Sequence, residues 1–329
     1  MANSKFSDVD EYGFQRPEDF DYLVYEKFMS SYLKVLTERQ IRWETLKRKN
    51  TDFSKLTRTL KRYIRKGIPT SYRTEVWMKV SGAYQNQQQS PDLYSNLLRA
   101  QFDRDTVEAI KIDLPRTFPD NIHFETKKRQ LFNVLIAYAH HNRDVGYCQG
   151  LNYIAGLLLI VTQKEEPTFW LLKMIVEKIV PSYHTKRMTN LIRDLAVLKE
   201  LIKLKVPEVN NHIENLGLPY TVIASKWFVC LFAEVLPTET VLRIWDCVFA
   251  EGYKILFRVG ITLIVAHRNV ILQADDISVL AELFRNEIIK GEIATDCHNF
   301  MKNIFKVPGN LKRRDLERLR LICIDRTNC

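Results

Sequence analysis

The chain has 329 residues and a formal net charge of +10, with 46% hydrophobic and 27% charged residues. This composition is ordinary for a globular protein with a substantial core, and it allows one large domain or two smaller ones. The longest apolar run, residues 151–161, is too short to cross a bilayer. The six cysteines form no C-x-x-C pair. They therefore indicate free thiols in a reducing compartment rather than a disulfide framework or a zinc site, and we expect a cytoplasmic protein.

Charge is unevenly placed along the chain. Residues 1–26 contain seven acidic and two basic side chains, whereas residues 27–73 contain fourteen basic and three acidic ones. The basic block lacks the interleaved aromatic residues of single-strand binders, and no zinc-finger or RRM pattern accompanies it, so we expect no nucleic acid partner. Two readings of residues 27–73 stay open, namely a solvated helical face and a weak contact with an anionic membrane.

The N-terminal third predicts helices. Residues 20–49 form a long amphipathic pattern without Gly or Pro. Its predicted apolar positions are Leu23, Phe28, Leu33, Leu36, Ile41 and Trp43. A second helix is predicted over 54–66, ended by Gly67.

The next helix is predicted to start at a Thr70 or Ser71 cap and to end near Gly82, which suits a helix C-terminus. The polar run at 85–90 predicts a surface loop. Further helical patterns follow at about 125–142, 150–163, 167–179, 188–204, 220–235, 238–250, 254–272 and 276–289. Strand-like alternation is scarce, so the fold class predicted is all-α, with non-bundle packing.

The segment IKIDLPRTFP at 110–119 places Arg116 three residues after Asp113, on a stretch that its two prolines keep irregular. A guanidinium stays charged and can bridge two phosphate oxygens, which neutralises charge on a transferring phosphoryl group. Asp113 can hydrogen-bond to Arg116 and aim it. The alternative for the isolated motif is a structural Asp–Arg pair at a helix end.

The segment GYCQGLNY at 146–153 places Gln149 between two glycines, where a turn opens an apolar helix. A neutral amide can accept from water and donate to phosphate, so a glutamine can orient an attacking water. The alternative is a helix N-terminal residue that caps backbone donors. No G-x-x-x-x-G-K-[ST] loop occurs, so we expect no nucleotide site and no hydrolase site of the chain's own.

A thiol hydrolase is the rival reading, because Cys148 has His140 and His141 nearby in sequence. Those histidines would lie on a different element, and no oxyanion-loop pattern accompanies them. The other histidines show no ligand spacing, so no metal site is expected.

Three ordered motifs together carry a family resemblance. RTEVWMKVSG at 73–82 fits R-x-x-V-W-x-x-x-x-G, residues 110–119 fit I-x-x-D-x-x-R-T-x-P, and residues 146–153 fit G-Y-x-Q-G-x-N-Y. Segments 225–237 and 241–252 are similar to C-terminal signatures of the same family. The chain resembles the TBC-domain family of Rab GTPase-activating proteins over roughly residues 67–290.

The resemblance implies a TBC-type multi-helix domain of two helical halves that form a groove, with both catalytic residues in the N-terminal half. It implies Arg116 as an arginine finger and Gln149 as a glutamine finger, with Asp113 and Tyr147 in support. Tyr147, Asn152 and Tyr153 are expected to position the turn by packing and local hydrogen bonding. Other matched positions are expected to be scaffold: Arg73, Trp77, Trp227, Trp245 and Asp246.

The resemblance also implies the function. The partner would be a Rab-family small GTPase in its GTP-bound state, in vesicle trafficking, and the partner would carry the GTP and Mg²⁺. The chain would need no cofactor of its own, and it would be cytoplasmic and peripheral at membranes through the Rab. The alternative is a non-catalytic Rab-binding adaptor with the same fold. The domain organisation predicted is an N-terminal helical extension at 1–66, a Rab-GAP TBC domain at 67–290 and a C-terminal helical tail at 291–329.

Overall fold

The computed structural model describes residues 7–18, 20–288 and 296–327. The predicted all-α class is confirmed, because the regular structure in these ranges is helical apart from two isolated β-bridges, Val9–Gln15 and Phe14–Asn121. The chain divides into two compact units, the first ending at Ile175 and the second beginning at Val176. Within the described ranges, no helix is both long and apolar enough to span a bilayer.

The first unit is a set of helices around a central apolar one. Its elements are α1 (Tyr22–Arg48), α2 (Arg58–Lys66), α3 (Thr70–Val80), α4 (Ala83–Gln89), α5 (Leu93–Leu97), α6 (Arg104–Asp113), a 3-10 turn (Glu125–Lys127), α7 (Lys128–His141), α8 (Leu151–Thr162) and α9 (Glu165–Met174). Helices α7, α8 and α9 pack on one another, and α3 packs on α8 and α9. Helix α8 is apolar nearly all round and buried along its length, so it forms the core of this unit.

The second unit begins within a π-helical turn (Ile175–Ile179). Its elements are α10 (Thr189–Lys205), α11 (Pro207–Asn215), α12 (Tyr220–Val229), α13 (Thr238–Glu251), α14 (Lys254–Ala266), α15 (Arg268–Gln273), α16 (Ile277–Glu282), a π turn (Leu283–Glu287), α17 (Cys297–Lys306) and α18 (Arg313–Thr327). Helix α10 packs against α11, α12, α14 and α18, while α13 and α14 pack against α17.

Several predicted boundaries are wrong. The polar run at 85–90 is not a loop, because residues 83–89 form α4, which packs on α9 with Ala83 buried. Glutamine is a good helix former, so the tertiary contact suffices to order this segment. The predicted helix over 220–235 ends at Val229, and the one over 254–272 breaks at His267. The predicted helix end at 289 and the predicted domain boundary at 290–291 lie outside the described residues.

The predicted cap of α3 is also wrong. The residue at its N-cap is Pro69, which offers no side-chain cap, and Thr70 is already helical. Gly82 behaves as expected, since it takes the left-handed conformation with φ of 84° just after α3.

The apolar face predicted for α1 is only partly correct. Leu23, Leu33 and Ile41 are 79%, 56% and 57% exposed. The buried positions of α1 are Tyr32, Arg39, Trp43 and Leu46. The indole of Trp43 donates a hydrogen bond of 2.9 Å to the carbonyl of Gly67, at the end of α2. The face of α1 that is buried therefore carries Tyr32, Arg39, Trp43 and Leu46, and it differs from the predicted apolar face except at Trp43.

Candidate functional site

Arg116 lies in the turn that follows α6. Its guanidinium forms an ion pair with Asp113 Oδ1, and the Arg116 side chain is 47% exposed whereas that of Asp113 is 3% exposed. The Thr117 hydroxyl donates a hydrogen bond of 2.7 Å to the main-chain carbonyl of Asp113, which closes the turn. A buried carboxylate therefore fixes the direction of an arginine that faces solvent.

Tyr147 holds the other oxygen of the same carboxylate. Its hydroxyl donates to Asp113 Oδ2 at 2.5 Å. Burial, reinforced by the Asp113 carboxylate, raises the pKa of Tyr147 far above its usual range. The hydroxyl therefore stays protonated and acts as a donor. The structure thus brings Asp113 and Arg116 together, as the sequence predicted. It adds Tyr147, for which only local bonding was expected and whose partner lies 34 positions earlier. The roles of all three residues stay predictions.

Gln149 lies in the turn immediately before α8 and is exposed. Its side chain makes no hydrogen bond to any residue within the described ranges. Gly150, the N-cap residue of α8, has a φ of 108°, which glycine adopts without strain. The capping alternative is therefore wrong, and the Gln149 amide is accessible to another molecule.

Asn152 connects the two turns. Its amide nitrogen donates a hydrogen bond of 2.8 Å to the Thr117 hydroxyl in the arginine turn. Its amide oxygen accepts from the backbone N–H of Gly150 at 2.9 Å in the glutamine turn. Asn152 is fully buried. One side chain therefore sets the spacing of two segments that lie more than thirty positions apart in sequence. The expectation of purely local bonding for Asn152 is therefore wrong, because its partner Thr117 lies 35 positions earlier in the chain.

Gly156 allows the arginine turn to pack closely on α8. A Cβ atom at this position would lie 3.0 Å from the rings of both Phe118 and Phe124 and 3.2 Å from the Thr117 methyl group. The hydroxyl of Tyr153 donates to the Arg116 carbonyl at 3.3 Å. The backbone of the arginine turn is therefore fixed from the α8 side by contact and by hydrogen bonding.

The thiol-hydrolase reading receives no support from the geometry. Burial raises the pKa of the Cys148 thiol, and the nearby Asp113 carboxylate raises it further. A protonated thiol is a poor nucleophile. Of the two upstream histidines, His141 contacts the Lys173 amine at 2.7 Å through its Nε2 atom. Within the described ranges, no group of three or more His, Cys, Asp or Glu side chains is arranged to hold a metal ion.

The remaining matched positions are buried, as expected for scaffold residues. At most 2% of the surface is exposed in each of these residues, which are Arg73, Trp77, Trp227, Trp245 and Asp246. The Trp245 indole donates a hydrogen bond of 2.9 Å to the Leu231 carbonyl.

Comparison with known proteins identifies the family. The RabGAP-TBC family, described as the Rab-GTPase-TBC domain, matches residues 70–272. The chain therefore belongs to the TBC-domain family of Rab GTPase-activating proteins. It is 46% identical to human growth hormone-regulated TBC protein 1 over 325 residues, which cover 97% of this chain and 96% of the relative. It is 45% identical to the zebrafish growth hormone-regulated TBC protein 1-A over 98% of this chain and 91% of that protein.

Solved structures agree with this assignment. The Chlamydomonas flagellar RabGAP TBC domain superposes with a TM-score of 0.78 at 32% identity, over 92% of this chain and 100% of that domain. The Ypt/Rab-GAP domain of Gyp1p shares the fold with a TM-score of 0.69 at 20% identity, over 83% of this chain and 98% of that domain. The predicted TBC fold is therefore confirmed.

Proposed function

We propose that this protein accelerates GTP hydrolysis on a GTP-bound Rab by supplying Arg116 and Gln149 in trans. The observation that carries the proposal is the pair of solvent-facing side chains on two turns that Asn152 links. The partner carries the GTP and the Mg²⁺, so this chain contributes charge and positioning only.

Arg116 suits the stabilisation of transition-state charge. Its contact with Asp113 involves one terminal nitrogen. A guanidinium has five N–H donors in a planar fork, so donors are left for phosphate oxygens. Because Asp113 is held in turn by Tyr147, the arginine is oriented before the partner binds. Such preorganisation means that little reorganisation is needed when charge develops on the phosphoryl group.

Gln149 suits the orientation of the attacking water. Its amide can accept a hydrogen bond from water and donate one to a phosphate oxygen at the same time. Its exposure at the tip of the turn leaves both functions available to the partner. In this proposal Gln149 takes over the role of the Rab's own glutamine.

The adaptor alternative requires binding without chemistry. A surface that only binds a Rab has no need of a carboxylate that is buried against an exposed arginine, an arrangement with a desolvation cost. The two functions are separated by measuring binding and single-turnover GTP hydrolysis across a panel of purified Rabs. Binding without stimulation of any Rab that binds would support the adaptor.

Substitution of Arg116 tests the chemistry. We expect Arg116→Ala and Arg116→Lys to lower the stimulated rate by about 10³-fold, because lysine keeps the charge but lacks the planar fork. Arg129→Lys, at an exposed position on α7, is the matched control and should act like the wild type. An Arg116→Lys variant with near wild-type stimulation would contradict the assignment.

We further propose that the basic block at 27–73 makes a weak contact with anionic membranes. The observation that favours it is a row of exposed basic residues on α2, Arg58, Arg62 and Lys66, which recur every four positions and share one helix face. Each basic residue near an anionic surface contributes about 1 kcal/mol.

The membrane proposal is tested by sedimentation with phosphatidylserine-containing vesicles and with phosphatidylcholine vesicles. Replacing the three α2 residues by glutamine should weaken binding to the anionic vesicles and leave turnover in solution unchanged. A control that removes the same charge elsewhere is Lys312→Gln, Arg314→Gln and Arg318→Gln, three exposed positions. Equal binding of wild type and variant to anionic vesicles would leave the solvated-face reading in place.

A further inference from the structure

A hairpin at residues 8–16 precedes the matched domain. Its two arms are joined by hydrogen bonds from the Asp10 amide to the Phe14 carbonyl at 2.9 Å and from the Arg16 amide to the Asp8 carbonyl at 2.8 Å. The Asp10 carboxylate accepts from the amides of Tyr12 and Phe14, both at 2.9 Å, and so closes the turn. This segment carried no strand signal in the sequence, because it is short and polar.

The hairpin is hydrogen-bonded to the chain just after Arg116. The Gln15 amide donates to the Asp120 carbonyl at 2.9 Å, and the Ile122 amide donates to the Gly13 carbonyl at 2.9 Å. The Asn121 side chain adds a hydrogen bond of 3.0 Å to the Tyr12 carbonyl. Residues 120–122 are thereby held on the hairpin in the manner of a paired strand.

The hairpin also provides one side of the aromatic cluster around Phe118. The Phe14 ring meets the Phe118 ring edge-on, with centroids 5.2 Å apart. Two further rings in this cluster pack on Phe118, those of Phe124 at 5.4 Å and Tyr153 at 5.6 Å between centroids. Phe118 has a φ of 50°, an unfavourable value for a bulky residue, so its conformation depends on what surrounds it. Phe118 lies two residues after Arg116.

The hairpin is itself fixed to the rest of the first unit. The buried guanidinium of Arg73 on α3 donates to the Tyr12 hydroxyl at 2.7 Å. On the other side, the Tyr22 hydroxyl at the start of α1 donates to the Asp8 carboxylate at 2.8 Å. The hairpin can therefore transmit the rigidity of α1 and α3 to the arginine turn.

We propose that the hairpin at 8–16 positions the arginine finger, with Phe14 as its main positioning residue. The inference rests on the proposed function. In this proposal Phe14 acts through Phe118 and is a positioning residue rather than a catalytic one. It completes the packing that holds Phe118, and Phe118 and the 120–122 pairing set the backbone from which Arg116 projects. Since catalytic groups must be held to a fraction of an ångström, loosening this backbone lowers the stimulated rate more than it lowers affinity for the Rab.

The test compares full-length variants. Phe14→Ala removes the ring contact, and Phe14→Leu restores apolar volume. Gln15→Ala, which changes an exposed side chain but leaves the backbone hydrogen bond, is the neighbouring control. Gly13→Ala disturbs the hairpin in a second way, because a Cβ there would lie 2.7 Å from His123 Cδ2 and the φ is 92°. Each variant is titrated against a responsive Rab under single-turnover conditions, and amide exchange is followed over residues 114–122.

We expect Phe14→Ala and Gly13→Ala to lower the maximal stimulated rate by about tenfold, with the half-saturating concentration changed by less than about twofold. Exchange over 114–122 should be faster in both. Phe14→Leu should recover most of the rate, and Gln15→Ala should match the wild type.

An unchanged maximal rate in both Phe14→Ala and Gly13→Ala would overturn the positioning role, as would a loss that lies only in affinity. Both outcomes are measured relative to a wild-type protein that stimulates the Rab, so they would not contradict the proposed function. A wild-type protein that stimulates no Rab would overturn the proposed function and this inference together, and the two failures are thereby distinguishable.

Discussion

Replacing Asn152 by alanine tests whether the two turns act as one site. The change removes the hydrogen bonds to Thr117 and to the Gly150 amide, at 2.8 and 2.9 Å, inside the fully buried region at the start of α8. A buried donor without a partner costs about 1–3 kcal/mol. In this variant the Gly150 amide is the donor that loses its acceptor, and the Thr117 hydroxyl loses one accepted hydrogen bond, which costs less. We expect the free energy of unfolding to fall by roughly 2–4 kcal/mol in total.

The same variant should lose activity beyond its loss of stability. Both turns depend on Asn152, so their relative placement is relaxed, and a displacement of about 1 Å can lower a rate by about 10²-fold. The assay is single-turnover GTP hydrolysis on a responsive Rab, at a temperature at which urea titration shows the variant to be folded.

Thr162→Ala is the matched control at the opposite end of α8. The Thr162 hydroxyl also makes buried polar contacts, to the Thr168 hydroxyl at 2.6 Å, to the Lys164 carbonyl at 3.0 Å and from the Lys164 amide at 3.4 Å, and Thr162 is 7% exposed. Thr162→Ala should therefore lower the free energy of unfolding to a similar degree as Asn152→Ala without affecting the stimulated rate. If Asn152→Ala is destabilised but stimulates like the wild type, the reasoning that couples the two turns is refuted.

Two further predictions concern the second unit. Burial lowers the pKa of His184 from 6.5 to about 4. As the pH falls below 6.5, His184 is protonated in the unfolded chain but stays neutral in the folded one. The free energy of unfolding is therefore highest above pH 6.5 and falls by about 3 kcal/mol as the pH drops towards 4. Urea unfolding of the wild type and of His184→Gln between pH 6.5 and 4 measures this effect. A difference in unfolding free energy that stays constant over this pH range would contradict the prediction. Arg320 on α18 pairs with the buried Asp194 carboxylate, its Nε donating at 2.7 Å. Arg320→Leu should cost about 3–5 kcal/mol in the same assay, because it leaves a buried charge unpaired, whereas Arg314→Leu on the exposed face should cost little. Equal losses in the two variants would show that the pair contributes nothing beyond helix packing.

The candidate catalytic residues could be predicted from the sequence because the residues next to each one in the chain indicate its role. Asp113 and Arg116 are one helical turn apart, and Gln149 follows from the glycines around it. Their proximity in space was implied by the family resemblance rather than by spacing.

The supporting contacts were not readable, because they join distant segments. Nothing near Asn152 indicates Thr117 as its partner, and nothing near Phe14 indicates Phe118. The exposure of Leu23 on α1 has the same origin, since only tertiary contact decides which face of a long helix is buried.

The most direct test of the central claim uses a Rab whose own catalytic glutamine is replaced by leucine. Because Gln149 is exposed and accessible, it should orient the attacking water for this Rab as well. We predict that the wild-type protein still stimulates single-turnover GTP hydrolysis by the substituted Rab and that Gln149→Ala does not. Absence of stimulation by the wild type, with a substituted Rab that still binds, would contradict the supply of both groups in trans.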